Sequence, residues 1–371
     1  GLASTDLLYF ASGSLGAPGA MFTASHNPAG YNGIKFCLGG ARPVGDECGL
    51  ALIKEDARGE LPPVGTPGTN SQMDLLDAFV QHVHSFVDVD ALRPLKVVAD
   101  VANGMGGLVV PAAFVGLPMN LEVMYPELDG TFPNHPADPI QPENQEDLRA
   151  RVLEVGADVG LAFDGDADRV FLVDEQGIGL SGSTTTALVA ASVLQRNPGA
   201  KIIHNLICSR GLVEVITELG GEPVRSRVGH SFIKAVMADT GAAFGGEHSA
   251  HYYFRDNWRA DSGLIASLIV LEVLSETGEP LSELRKQYER YAASGEINTT
   301  VDDSLAVIER VAAAFPDGEQ DRLDGLTVQF EDWWFNLRPS NTEPLLRLNL
   351  EAADADACAA RVAEVRSLLE G

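Results

Sequence analysis

Cysteine is scarce in this chain, four in 371 residues, and none of Cys37, Cys48, Cys208 and Cys358 stands in a CxxC spacing. That excludes a dense disulfide framework and a zinc site, and it suits a reducing cytosol, so a cytoplasmic setting is expected. No apolar run reaches the roughly 18 residues a membrane-spanning helix needs, and no basic-then-apolar leader precedes a cleavage site. Positive charge is short as well: 26 Lys plus Arg face 53 Asp plus Glu, a net charge of −27. So acidic a body repels nucleic acid and anionic membranes at long range, which removes both from the expected partners. An anionic small molecule would need a local positive cleft. What the chain has in quantity is apolar residue, 45% of the total, enough for several cores and two to four domains.

Two stretches stand out. The first is Thr23, Ala24, Ser25, His26, Asn27, Pro28, followed by Tyr31, Asn32, Gly33 and Lys35. A serine among small and turn-forming residues, with a proline three places on, belongs in an exposed loop. An unassisted serine is a weak nucleophile, and it needs a base, a metal or an activated group beside it. Alone, such a stretch is more often just a turn. Lys35 is close enough along a compact loop to neutralise phosphate charge or move a proton, or it is a solvated surface group.

The second is Asp164, Gly165, Asp166, Ala167, Asp168, Arg169, directly after the apolar run 159–163. Alternate aspartates can turn three hard oxygen donors toward one point, as Mg²⁺ or Ca²⁺ requires. An EF-hand loop competes, since Glu175 falls at the twelfth position. Against it, Arg169 holds the sixth position, where that loop needs glycine, and 170–173 reads as a strand. A solvated acidic turn is the remaining alternative.

Two polar loops follow. GEHSAHYYF at 246–254 offers Glu247 and Ser249 as acceptor and donor for vicinal hydroxyls, and His251 as proton carrier. RPSNTEP at 338–344 offers the Arg338 donor fork with Ser340, Asn341 and Thr342, a cradle for a dianionic phosphate or a structural turn.

With TASHNP and YNGIK, DGDADR, GEHSAHYYF and RPSNTEP in this order and at these separations, the chain resembles the α-D-phosphohexomutase family, most closely its phosphomannomutase/phosphoglucomutase branch. The resemblance runs through essentially the whole chain. It implies a phosphoserine at Ser25, Mg²⁺ held by Asp164, Asp166, Asp168 and that phosphate, and transfer of phosphate between C6 and C1 of a hexose through a hexose 1,6-bisphosphate. Lys35, Arg169, His230 and His251 are then the expected catalytic residues. Glu247 and Ser249 would grip the sugar, and Arg338, Ser340, Asn341 and Thr342 would anchor the non-reacting phosphate. His230 is otherwise an ordinary histidine at a helix start. The implied substrate is a phosphosugar, mannose phosphate first and glucose phosphate second, and the implied state a monomer or homodimer. Asn341 separates this branch from phosphoglucosamine mutases, which tend to carry glycine there. Where relatives carry a lysine this chain has Ile207, so Arg210 is expected to take over its task if that task is kept. The resemblance also places most of a first α/β domain, with an arginine-containing loop, ahead of Gly1.

The implied architecture is three related α/β domains with mixed sheets, the first truncated at its N-terminus, and a C-terminal α+β domain, around a central cleft. The expected boundaries are 1–70, 71–174, 175–291 and 292–371, with 61–70 as a linker rich in Pro, Gly and Thr. Helical spacing predicts helices at 74–87, 104–115, 144 or 145 to 155, 183–195, 211–219, 231–238, 261–276, 281–291, 304–315 and 354–369. Apolar runs predict strands at 96–101, 121–125, 159–163, 170–173, 201–203, 223–225, 296–301, 326–330, 334–337 and 345–350. The loop 126–142 carries five prolines and resists regular structure. The pattern from Val159 to Leu194 echoes that from Val97 onward, a hint of duplication. Turnover of a bisphosphate in two poses calls for a hinge near 288–295. A metal-dependent phosphohydrolase and a non-catalytic sugar-phosphate binder stay open on the same residues.

Overall fold

The computed structural model describes all residues except 46–47, 60–64, 67, 341–344 and 370–371. Ser4 accepts a hydrogen bond from the Leu7 N–H and so starts α1 (Thr5–Leu15), which Gly16 ends at φ 64°. Next come β1 (Gly19–Phe22), β2 (Ile34–Leu38) and the short β3 (Arg42–Pro43), an antiparallel three-stranded sheet, and then α2 (Leu50–Asp56). Neither helix is legible in the composition of this segment. Lys35 is not in a loop: it sits on β2 opposite Met21 of β1, so strand pairing fixes its direction. Half of the expected linker, 61–64 and 67, falls outside the described residues, and 68–70 have no regular structure.

The next stretch folds as α3 (Leu76–His84), β4 (Lys96–Asp100), α4 (Gly106–Phe114), β5 (Asn120–Met124), α5 (Glu146–Val155), β6 (Val159–Phe163) and β7 (Val170–Asp174). The same succession then returns as α6 (Gly182–Arg196), β8 (Lys201–Asn205), α7 (Arg210–Glu218), β9 (Glu222–Ser226), α8 (His230–Thr240), β10 (Phe244–Gly246) and β11 (Tyr252–Phe254). The sheets run β5-β4-β6-β7 and β9-β8-β10-β11, each with three parallel strands and one antiparallel edge. The duplication is therefore real, but its frame pairs α3–β7 with α6–β11, not Val159–Leu194 with the segment after Val97. Short apolar strands look alike, and only pairing order reveals which correspond.

Every residue of β6 and β7 is buried, which explains their unbroken apolar runs. One core spans both units and takes in Phe10 of α1 and much of the largely buried α9 (Gly263–Thr277). The predicted helix 281–291 is shorter: α10 (Leu281–Leu284) passes into a 3-10 turn at Arg285–Gln287. Tyr288 N–H bonds back to Arg285, and the chain leaves for the next sheet.

That sheet, antiparallel in order β12-β16-β15-β14-β13, comprises β12 (Ala292–Thr300), β13 (Glu319–Asp321), β14 (Leu326–Gln329), β15 (Trp333–Pro339) and β16 (Leu345–Ala352), with α11 (Ser304–Ala314) and α12 (Ala355–Leu369). It has its own core, including Phe330 stacked on Trp333 at 4.5 Å. Three related α/β units and a C-terminal α+β unit make up the molecule. No helix among the described residues is long and apolar enough to cross a membrane.

Candidate active site

Parallel strands leave their connecting loops at the carboxyl end of the sheet, and that edge is where ligands of α/β folds are met. Here the loop after β6 carries the three aspartates, and the loop between β1 and β2 is laid against it. Ser25 takes a left-handed conformation, φ 55°, and its N–H donates to Thr23 Oγ1 at 2.8 Å. A non-glycine residue there is strained unless its surroundings hold it. Gly165 supplies the close approach: a Cβ at this position would stand 2.5 Å from the Ser25 carbonyl oxygen.

The result is a contact between residues 139 apart in sequence, Ser25 Oγ donating to Asp164 Oδ2 at 3.1 Å. Arg169 donates to the same carboxylate oxygen through Nε at 2.9 Å, and through Nη2 to Ser25 Oγ at 3.4 Å. His26 Nδ1 lies 3.3 Å from that hydroxyl. Burial, with Arg169 beside it, pushes the His26 imidazole down to about 4, so a neutral ring borders Ser25.

Asp166 and Asp168 are buried and share one cation, Lys35 Nζ, at 2.7 and 2.6 Å through their Oδ2 atoms. Thr5 Oγ1 at 2.7 Å and Thr23 Oγ1 at 3.0 Å also donate to Asp166 Oδ2. Burial would lower the lysine, but the two carboxylates outweigh it and hold the ammonium well above its usual range. Lys35 is thus a neutralising charge in this arrangement rather than a ready base. Burial raises the Asp164 carboxyl, whereas Lys35 and Thr5 overcome burial at Asp166 and lower it.

Asp166 Oδ1 and Asp168 Oδ1 are buried and make no hydrogen bond among the described residues. Ligand oxygens of Asp164, Asp166 and Asp168 lie within 4.8 Å of one another. Hard, buried, unsatisfied oxygens in such a group fit a divalent cation of the Mg²⁺ kind. The EF-hand alternative fails, because Glu175 bonds to Ser282 at the start of α10, away from the trio.

His251 joins this network from the loop after β10, where its backbone bridges to Arg169. Its Nδ1 donates to Asp261 Oδ2 at 2.8 Å and lies 3.8 Å from Asp168 Oδ1. Burial would lower the imidazole, but Asp168 and Asp261 prevail and raise it. Lys234 of α8, buried and 2.8 Å from Asp261 Oδ1, lies 3.8 Å above the Tyr9 ring, so α1, α8 and the segment leading into α9 are tied together.

The other expected residues share no hydrogen bond with Ser25 or the aspartate trio among the described residues, although His230 lies within electrostatic reach of Asp261, His251 and Lys35. Glu247 is 1% exposed, and its oxygens already accept from Asn205 Nδ2 at 3.2 Å, Gly229 N–H at 3.0 Å and the Tyr253 hydroxyl at 2.6 Å. It fixes the turn before α8, rather than offering the bare carboxylate expected of that loop. Exposed His230 opens that helix, and half-buried Ser249 follows Glu247 on the loop. In the last unit Arg338 donates to Glu296 at 2.9 Å, and Arg347 reaches Glu296 at 3.5 Å and Ser340 Oγ at 3.4 Å. Asn341 and Thr342 lie outside the described residues. Arg210 does not take over a site lysine: its guanidinium binds the Glu331 and Phe330 carbonyls at 2.6 and 2.8 Å, fastening α7 to the last unit.

From the sequence no site role attaches to His26, Asp261, Lys234 or Arg347, although His26 lies within the TASHNP motif. Arg347 has a signal there, since alternation along Leu346, Leu348 and Leu350 turns it to the polar face beside Arg338. Asp261 and Lys234 have none. A concavity of about 900 Å³ opens at the serine, lined by Thr23, Ser25, Met105, Phe132, Gly165 and Asp166 among others.

Comparison with known proteins identifies the family. Models of the phosphoglucomutase/phosphomannomutase family match in four parts: alpha/beta/alpha domain I at 1–59, domain II at 77–177, domain III at 181–291 and the C-terminal domain at 296–368. A phosphomannomutase of Salmonella montevideo is 43% identical over 382 residues, covering 100% of this chain and 84% of that protein. A protein of Xanthomonas campestris pv. campestris named for phosphohexose mutases is 40% identical, with the same coverage. The crystal structure of a phosphoglucomutase/phosphomannomutase family protein from Burkholderia thailandensis superposes with a TM-score of 0.87 at 35% identity, covering 100% of this chain and 81% of that one. The chain belongs to the phosphoglucomutase/phosphomannomutase family and is an isomerase of the phosphohexomutase type.

Proposed function

We propose that this chain is a phosphomannomutase: it interconverts mannose 6-phosphate and mannose 1-phosphate through a phosphorylated Ser25 and a hexose 1,6-bisphosphate, and it accepts glucose phosphates as a second substrate. The observation that carries the reading is Ser25 Oγ at 3.1 Å from Asp164 Oδ2, with Arg169 on the same oxygens. The relatives named phosphomannomutase support mannose over its epimer.

In the forward half-reaction the bond from phosphorus to Ser25 Oγ breaks as a sugar hydroxyl oxygen bonds to phosphorus and releases its proton. The reverse half-reaction returns the other phosphate to Ser25 from the flipped sugar. Arg169 donates to the serine oxygen as charge builds on it, and Lys35 balances the Asp166 and Asp168 charges. A Mg²⁺ bound by Asp164, Asp166 and Asp168 would supply Lewis-acid stabilisation of the transferring group. His251, oriented by Asp261, is the proposed proton carrier. Ser249 and Glu247 are the proposed contacts to the hydroxyls, with Glu247 exchanging one of its present partners. Arg338 and Ser340, with Arg347, Asn341 and Thr342, would hold the non-reacting phosphate in both poses. Residues 288–295 are the proposed hinge.

We place the enzyme in the cytoplasm as a monomer or homodimer; its four cysteines are all free. The test is a coupled assay with mannose, glucose and glucosamine phosphates primed with the bisphosphate, beside intact-mass analysis. Isomerisation, with one added phosphate that disappears in Ser25→Ala, is the expected result. Release of inorganic phosphate faster than isomerisation would mean a phosphohydrolase, and binding without turnover a sugar-phosphate binder.

A further inference from the structure

The long loop 126–142 has no part in the chemistry described above, yet it is one of the most tightly tied segments next to it. His135 lies at its centre, with a side chain 14% exposed. Its Nδ1 faces the Pro136 carbonyl at 2.9 Å and its Nε2 faces Asp100 Oδ2 at 3.0 Å. A carbonyl and a carboxylate only accept hydrogen bonds, so both ring nitrogens donate and the ring is an imidazolium. Burial opposes that charge, but Asp100 outweighs it and raises the imidazole. The other groups facing the ring are Tyr125, 5.5 Å away edge to face, and Asp147, to which the Tyr125 hydroxyl donates.

Asp100 passes the constraint on. Its second oxygen accepts from the Ala102 N–H at 2.9 Å, opening a turn in which Ala102 and Asn103 both hold positive φ, 46° and 56°. Two such residues in a row are costly and need external support. Asn134, next to His135, supplies more of it by donating to Asn103 Oδ1 at 2.8 Å. The end of this turn meets the aspartate loop: Met105 N–H donates to the Gly165 carbonyl at 2.9 Å, and a Cβ on Gly104 would stand 2.6 Å from the same oxygen. Gly165 in turn sits against the Ser25 carbonyl. Ala137, two residues after His135, lies 3.4 Å from where a Gly165 Cβ would be.

We propose that His135 is a positioning residue for phosphoryl transfer: clamped by Asp100 and Pro136, it holds the 101–105 turn that buttresses Gly165 and so sets the aspartate trio against Ser25. It touches neither the sugar nor the transferring phosphate. Its removal therefore degrades the placement of the metal ligands and the serine while leaving substrate recognition in place. The inference rests on the function proposed above.

The test compares the full-length chain with His135→Leu and His135→Gln. A glutamine amide nitrogen comes near the place of Nε2 and restores a donor to Asp100; leucine fills the space without one. Mn²⁺ binding by calorimetry or spin resonance is the first readout, and kcat and KM for mannose 1-phosphate the second. We expect Mn²⁺ affinity about tenfold weaker in His135→Leu, on the scale of other outer-sphere ligand supports. We also expect a fall in kcat with KM within about twofold, and partial recovery of both readouts in His135→Gln. Unchanged Mn²⁺ affinity and kcat in His135→Leu would overturn the proposal, and so would equal impairment of the two variants. Should His135→Leu not fold, judged by circular dichroism, His135→Gln against His135→Asn makes the same comparison, since asparagine reaches only the Nδ1 position. A wild-type chain with no mutase turnover defeats the functional reading alone; the Mn²⁺ comparison still decides the role of His135.

Discussion

Arg338 on β15 and Arg347 on β16 stand directly opposite each other in the sheet register, and each has a buried Nε that meets no acceptor among the described residues. Like charges paired across strands are unfavourable unless something neutralises them. Glu296 of β12 reaches both, and Asp324 adds negative charge near Arg338. The two unmet Nε groups remain a surplus of cationic donors, in a chain with a net charge of −27.

That surplus predicts a phosphate site. Arg347→Ala should raise KM for mannose 1-phosphate by about 10- to 100-fold, the scale of one charge-assisted hydrogen bond, while kcat changes less. Steady-state kinetics check this, and a KM equal to wild type would remove Arg347 from the anchor.

The contact between Gly165 and the Ser25 carbonyl predicts a second outcome. In Gly165→Ala the new methyl meets backbone at 2.5 Å, so the serine loop or the aspartate loop must shift. A displacement of order 1 Å costs about 100-fold in rate. Turnover should fall by that factor with little change in KM, and full activity in the alanine variant would contradict the arrangement.

Metal removal should separate binding of the phosphoryl group from its transfer. Chelation is expected to abolish isomerisation, and added Mg²⁺ to restore it, while intact mass still shows phosphate on Ser25. Asp166→Asn should weaken Mn²⁺ binding by at least about tenfold, since it removes a buried ligand carboxylate. Metal-independent turnover would defeat this.

Stability should respond to pH through Asp6. This carboxyl is buried between Ser4 and Ser262, and burial raises it to about 7. A carboxyl raised in the fold binds its proton more tightly there than in the unfolded chain. Its contribution is therefore full below the unfolded value near 4 and is lost as pH rises through about 7. Asp6→Asn, which cannot ionise, should flatten that part of the profile and melt higher than wild type at pH 8. Thermal melts from pH 4 to 8 decide it, and parallel profiles for the two proteins would refute it.

Much of the candidate site is legible in the amino-acid sequence. The SHNP and DGDADR turns, the tandem of strand and helix patterns, and the polar loops all announce themselves through local chemistry, because a turn residue or a ligand carboxylate has to be of a given type wherever it lies. Most helices and strands of the two central units lie close to their predicted bounds, since 3.6- and two-residue periods survive in a buried core, but no strand is expected where β10 and β11 form, within the loop read as polar. The illegible parts depend on distant partners. Lys35 reads as a loop lysine until β1 pairs with β2 and aims it between Asp166 and Asp168. Arg210 reads as a site cation until α7 meets the Phe330–Glu331 carbonyls.

The chain of residues by itself determined the family, the order of the units and the kinds of groups available: one loop serine, three alternate carboxylates, an arginine fork. Tertiary structure alone decided which of them meet. Ser25 and Asp164 are 139 residues apart, and Lys234, Asp261 and His251 come from three different segments. Side-chain identity is a local property of the chain, whereas a hydrogen bond of about 3 Å exists only where packing of whole sheets and helices fixes two backbones to within a fraction of that distance.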